Sequence, residues 1–194
     1  HFMSEGMRQE MLYALKAEAH SLEQVYNAVN SDTYSVSGNK LMKGSFNITD
    51  ETDFIDSFVE GSGMDVTVFY GDTRMATTLK DDSGKRIVGT QADADIAKAV
   101  LAGETVEKEN ITIDGKKYCV CYSPLRESSD KIVGMVFAGK PVAAVQALIT
   151  KRTTAIVVVE VVLILIAMVI IFFLTRGIKI GLQAAEKAVE GLSN

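Results

Sequence analysis

Three polar residues around one turn, Tyr70, Arg74 and Thr77, are of the types that orient an anion. An arginine presents a planar fork matched to a carboxylate or phosphate, and the tyrosine and threonine hydroxyls add neutral donors. They lie at the end of one apparent strand, beside the Gly71-Asp72 turn, and on the returning strand. The spacing predicts that all three converge on one face of a sheet. The competing reading is a solvated edge with Arg74 paired to Asp72, and periodicity alone leaves the two even. Further on, Tyr118, Val120 and Tyr122 alternate with Lys117, Cys119 and Cys121. The two tyrosines on one face either line a small-molecule cavity or serve as ordinary core residues with hydroxyls at the rim. Lys140, directly after the last strand, either neutralises a bound acid or caps the membrane-proximal surface.

The residue patterns of the common enzyme classes are missing. There is no HExxH, CxxC or GxSxG, and no glycine-rich phosphate loop between a strand and a helix. Asp72, Asp81 and Asp82 sit in charged turns, the ordinary surface solution. Cys119 and Cys121 are too close along one strand for a mutual disulfide, and no third cysteine or nearby histidine supports a metal, since His1 and His20 are remote. We therefore expect a protein that is not an enzyme, with no cofactor and no metal. A net charge of -5 without a basic stripe argues against nucleic acid as a partner.

The elements that must position these residues follow from hydrophobic periodicity. Residues 3–30 lack proline and repeat Met7, Met11, Leu15, Leu22, Val25 and Val29 at spacings near three, four or seven, which predicts a long amphipathic helix. Such a helix either leads out of a membrane and pairs with its twin in a homodimer or lies across its own domain. Leu41 to Ile48 suggests a short strand, and Asp50 to Asp53 opens a helix through Ile55, Phe58 and Val59. Asp65 to Tyr70 and Arg74 to Lys80 read as a hairpin, residues 91–102 as a helix stopped by Gly103, and Thr105 to Ile113, Lys117 to Ser123 and Ile132 to Gly139 as three further strands. Short connections and helices gathered to the side describe an α+β domain built on a five-stranded antiparallel sheet over residues 31–150.

From Thr154 to Phe173 the chain is apolar except for Glu160, with Lys151 and Arg152 before it and Arg176 and Lys179 after it. At about 1.5 Å per residue, such a run spans the roughly 30 Å of a bilayer core, so a transmembrane helix is expected over 154–175, with the lipid bilayer as its surroundings. The competing reading is a helix buried in an oligomeric core. Glu160 fits an interfacial position, a neutral acid facing a partner helix, or a functional group. The N-terminal residues do not form a signal peptide. Either a first span has been removed or the chain is anchored only on its C-terminal side. Residues 176–194 read as the opening of another amphipathic helix.

The ordered series DVTVFYGDTRMATTL, GKRIVGT and YCVCYSPLRESSDKIVGMVFAGKP closely resembles the single Cache sensory domain of bacterial methyl-accepting chemotaxis proteins, over roughly residues 30–145. RGIKIG resembles the start of the HAMP-like cytoplasmic linker that follows the second membrane helix in such receptors, with Gly181 near the place of the family's proline. The resemblance implies a PAS-like sheet outside the cell and a cytoplasmic C-terminus, which puts Lys151 outside and Arg176 inside. It implies a ligand pocket at Tyr70, Arg74, Thr77, Tyr118, Tyr122 and Lys140, taking a small organic acid, amino acid or related metabolite. The expected function is the sensing and signalling portion of a chemoreceptor at the cell membrane. Its alternatives are the input domain of a sensor kinase or cyclase, and a membrane-anchored interaction module with no small-molecule ligand.

Overall fold

The computed structural model describes residues 5–190, excepting the side chains of residues 148, 149, 151–153, 155, 173–175 and 177–190. The chain divides after Gln146 into two compact units. In the first, helix α1 (Glu5–Val29) is followed by a small meander of β1 (Tyr34–Ser37), β2 (Lys40–Lys43) and β3 (Phe46–Asn47), and then by α2 (Thr52–Phe58). Strands β4 (Asp65–Tyr70) and β5 (Thr73–Thr77) come next, followed by α3 (Ala94–Leu101), β6 (Val106–Ile113), β7 (Lys116–Arg126) and β8 (Ile132–Pro141). Helix α4 (Val142–Glu190) begins directly after β8 and makes up the described part of the second unit.

The expected α+β class and five-stranded antiparallel sheet are observed. The sheet has the order β5-β4-β8-β7-β6, which places β8, last in sequence, at its centre between β4 and β7. A central strand buried on both faces needs apolar residues throughout, and β8 supplies them as IVGMVFAG. One face of the sheet carries α1. Its buried positions, Leu12, Leu15, Ala19, Leu22 and Tyr26, follow one another at alternating steps of three and four and pack with Val66, Val68, Cys121, Val136 and Ala138. The other face carries Phe69, Val120, Tyr122, Met135 and Phe137, packed against Ile96, Ala97 and Val100 of α3.

Two sequence expectations change here. The apolar stripe of α1 is used by its own sheet over Leu12 to Tyr26, while Met7 and Val29, counted in the expected stripe, are exposed. The heptad-like spacing therefore reflects a helix laid on a sheet, where a stripe of about the same width is buried. The region around residues 41–48 forms two strands of a separate meander rather than one short strand, because Gly44 (φ 57°) turns the chain between Lys43 and Phe46. The second unit is helical. From Ile156 to Phe172 its described side chains are apolar apart from Glu160 and all are exposed. Among the described residues no helix is long and apolar enough to cross a membrane. Apart from Arg176, the expected linker over 176–194 falls outside the described side chains.

The two cysteines lie on the α1 face of β7, buried and unbridged. Burial, with the Glu107 charge next, pushes the Cys121 thiol up to about 12, and burial raises Tyr122 on the opposite face to about 12. Unfolded, these groups titrate near about 8.5 and about 10. The folded chain thus holds more protons than the unfolded one over that interval, and this contribution to stability is full below pH about 8.5 and is lost as pH rises toward 12. The unfolding free energy read from urea titrations should fall between pH 8 and 11, by up to roughly 1.4 kcal/mol per pH unit for each such group. Cys121→Ala should flatten the decline between pH 8.5 and 10. An unchanged slope in that variant would count against thiol burial as the cause.

Candidate functional site

Arg74 reaches its position through an irregularity in the β4–β5 hairpin. Thr67 pairs with Thr77 and Val68 with Ala76, but Phe69 pairs with Arg74, so Met75 is the extra residue of a bulge. A bulge leaves one residue unmatched and re-aims its neighbours. Residues paired across strands share a face, so Arg74 and Thr77 both belong to the face of Thr67 and Phe69, although they are three residues apart. Without the bulge, Arg74 would lie on the face of Met75's present neighbours beneath α1. The guanidinium lies over the Phe69 ring, 5.1 Å from its centroid, and only 5% of the residue is exposed.

The outer edge of β5 is covered by the segment leading to α3. The Arg74 N–H donates to Thr90 O and the Gly89 N–H to Arg74 O, both at 2.8 Å, while the Ala92 N–H donates to Asp72 O at 2.9 Å. Arg74 Nη1 donates to Thr90 Oγ1, which in turn donates to Ile87 O at 3.0 Å. The segment is also tied down by Arg86, which reaches Thr77 O and the Asp56 carboxylate, both at 2.6 Å. Asp93 ends the segment as the N-cap of α3, accepting from the Asp95 and Ile96 N–H groups.

Between this segment, α3 and β6 lies a cavity of about 470 Å³, within the range of small-ligand sites. Arg74, Tyr122 and Ile96 form its buried inner part, and Ile87, Ala92, Ile111 and Ile113 its half-buried walls. Thr90, Gln91, Asp93, Lys108, Thr112 and Asp114 stand at the exposed mouth. The Arg74 Nε is buried with no hydrogen-bond partner, and among the described residues no carboxylate lies within ion-pair distance of the guanidinium. Burial lowers its pKa, the nearby Tyr122 acting in the opposite sense. A buried charge is costly unless it is paired and hydrogen-bonded, and the side-chain partners of this one among the described residues are the Thr90 hydroxyl and the Phe69 ring. The solvated-edge alternative, with Arg74 paired to Asp72, is not what forms: Asp72 accepts from the Thr73 hydroxyl at 3.1 Å.

The six residues singled out in the sequence divide into three groups. Arg74 and Tyr122 line the cavity together. Thr77 and Tyr118 share its face of the sheet, but Thr77 is buried against Thr67, Oγ1 to Oγ1 at 2.6 Å, and the Tyr118 hydroxyl donates to Asp65 Oδ2 at 3.1 Å. Tyr70 packs in the core beneath α1, so the expected convergence of Tyr70 with Arg74 does not occur; the bulge separates them. Lys140 pairs with Cys119, on the α1 face, and donates to Ser62 O at 3.1 Å, capping the loop before β4. No sequence pattern marks the walls and mouth, from Ile87 to Asp114, as parts of a site. The one available signal was Asp93, a helix-capping residue that fixes where the segment from β5 must return.

A family model described as single Cache domain 3 matches residues 46–152. No protein of curated function matches the chain. Among solved structures, the ligand-binding domain of the Campylobacter jejuni chemoreceptor Tlp3, in complex with L-valine, is 12% identical with a TM-score of 0.45 over 76% of this chain. The chain spans 57% of that domain's length. The E. coli DcuS sensor domain is 16% identical with a TM-score of 0.40, over 71% of this chain and 98% of that one. A C-terminal domain from Streptococcus mutans is 13% identical with a TM-score of 0.33, covering 61% and 99%.

Proposed function

We propose that this chain, which belongs to the single Cache domain 3 family, is the extracellular sensing and transmembrane signalling portion of a bacterial chemoreceptor that binds a small anionic metabolite. The observation that carries the reading is the buried Arg74 guanidinium, which lines a cavity and has no carboxylate partner among the described residues. A carboxylate seated there would complete charge-assisted bonds, the strongest class of hydrogen bond open to the site. Tyr122 would stand beside it as a neutral contact. Thr77 and Tyr118, one layer away on the same face, would hold the sheet beneath the site in shape, and Tyr70 and Lys140 would act from outside the cavity.

The second unit supplies the membrane part of the proposal. The exposed aliphatic side chains from Ile156 to Phe172 are costly in water at about 25 cal/mol per Å². A bilayer around residues 154–175 removes that cost, with Lys151 outside and Arg176 inside. β8 leads into α4 without a loop, so a ligand that favours one arrangement of the sheet would bias the start of that helix. A dimer would use the α1 surface turned away from the sheet, where Tyr13 is 77% exposed.

The test is a thermal-shift screen of the full chain in detergent against organic acids, amino acids and nucleobases. A ligand at 100 times its Kd stabilises by about 2.7 kcal/mol, which is readily detected. Stabilisation by a carboxylate is the expected result; stabilisation by neutral nucleobases alone would overturn the anion assignment. A reporter active only in the cytoplasm, fused after Asn194, should be active in cells, and an inactive one would reverse the orientation.

A further inference from the structure

We infer, resting on the anion-binding reading of the cavity, that the site is selective for ligands with a single negative charge and rejects dianions of the same length. The cavity charges are arranged by depth. Its one buried charge is the Arg74 guanidinium, and an anionic group seated there directs the rest of an extended ligand past Ile96 and Ile111 toward the mouth. At the mouth stand the carboxylates of Asp93 and Asp114 and the ammonium of Lys108, so the outer charge is net negative.

Two features keep the outer acids in place. Asp93 Oδ1 accepts from the Asp95 and Ile96 N–H groups at 3.1 and 3.2 Å, so its carboxylate cannot swing aside without uncapping α3. Asp114 occupies the tight turn between β6 and β7 with φ 46°, a conformation that fixes its Cβ direction. Lys108 is exposed on a long flexible stem, and its charge is a mobile, well-hydrated one. A second carboxylate at the outer end of a ligand would lose its water to face these two acids, the first of them held as a helix cap. An outward ammonium or a plain methyl end would not.

The test uses three acids of equal chain length that differ only at the far end: hexanoate, 6-aminohexanoate and adipate. Each is titrated into the full chain in detergent, with binding read by calorimetry and by thermal shift up to high millimolar concentration. Hexanoate and 6-aminohexanoate should bind, and adipate should bind at least about tenfold more weakly, the size of a like-charge interaction near a protein surface. Asp114→Asn, which keeps a side chain suited to a positive φ, should narrow the gap between adipate and hexanoate several-fold. Adipate binding as tightly as hexanoate, or Asp114→Asn leaving the discrimination intact, overturns the selectivity rule alone. Failure of all three acids to bind or to shift the melting temperature overturns the anion-binding reading on which it rests, and the rule with it.

Discussion

Arg74→Met is expected to weaken binding of a carboxylate ligand by about 100-fold, equivalent to about 2.7 kcal/mol, while leaving the ligand-free protein at least as stable as the parent. The two halves of this result have one cause. Arg74 is buried over Phe69, its Nε unbonded and its charge unpaired among the described residues. In the ligand-free state it therefore carries a desolvation cost that one side-chain bond to Thr90 and the contact with the ring offset only in part. Methionine retains much of the length and apolar stem and removes the charge, and replacing a buried charge by an apolar side chain of similar size is often neutral or stabilising. With a ligand bound, the same change leaves a carboxylate buried without a donor, the situation in which truncation of one partner costs most. Calorimetric titration of whichever acid stabilises the parent, together with urea unfolding without ligand, separates the two halves. Loss of binding with a large loss of stability would make Arg74 a structural residue; unchanged affinity would remove it from the site.

The elements of the sheet were legible because their signals are local. DVTVFY is a β-branched and aromatic run, Asp114-Gly115 marks a tight turn, and Gly103 ends α3. Each feature rests on residues adjacent in the chain, so a short stretch of sequence contains its cause. Arg74 and Tyr122 were legible as chemistry, and they share a cavity. Tyr70 and Lys140 were misplaced for different reasons. Tyr70 would share a face with Arg74 in a regular hairpin, and the one-residue bulge that separates them leaves no mark in periodicity. Lys140 lies near the end of a strand whose neighbours are decided by pairing with β7, a contact across the β7–β8 loop that sequence spacing cannot fix. The cavity walls were hidden because the segment between β5 and α3 is irregular. Its course is set by backbone bonds to Asp72 and Arg74, not by any repeating pattern.

Gly134→Ala should be the most damaging small substitution in the sheet, and for a reason separate from ligand chemistry. Gly134 lies in the central strand β8, paired with Tyr70 of β4 on one side and Leu125 of β7 on the other. A Cβ there would fall well inside van der Waals contact with the Phe69 carbonyl oxygen, 2.9 Å from Phe69 C and 3.1 Å from Tyr70 Cα. These are backbone atoms held in the ladder, so no rotamer change relieves the clash, and β4 must move away from β8. Gly139, in the same strand, offers a comparison: the nearest atoms to a Cβ there all belong to the ring of Phe137, a buried side chain rather than ladder backbone. Overpacking of this kind costs about 1 to 3 kcal/mol; Gly134→Ala is expected at about 3 and Gly139→Ala at about 1. At about 2 to 4 °C per kcal/mol for a domain of this size, Gly134→Ala should lower Tm by roughly 10 °C. Phe69 also carries the Arg74 guanidinium on its ring, so the backbone shift reaches the inner part of the cavity. Gly134→Ala should therefore bind ligand more weakly even at temperatures where it is fully folded. Equal losses of stability in the two variants would show that β4 yields as easily as a ring turns, and would remove the rigid β4–β8 contact as the link between the core and the site.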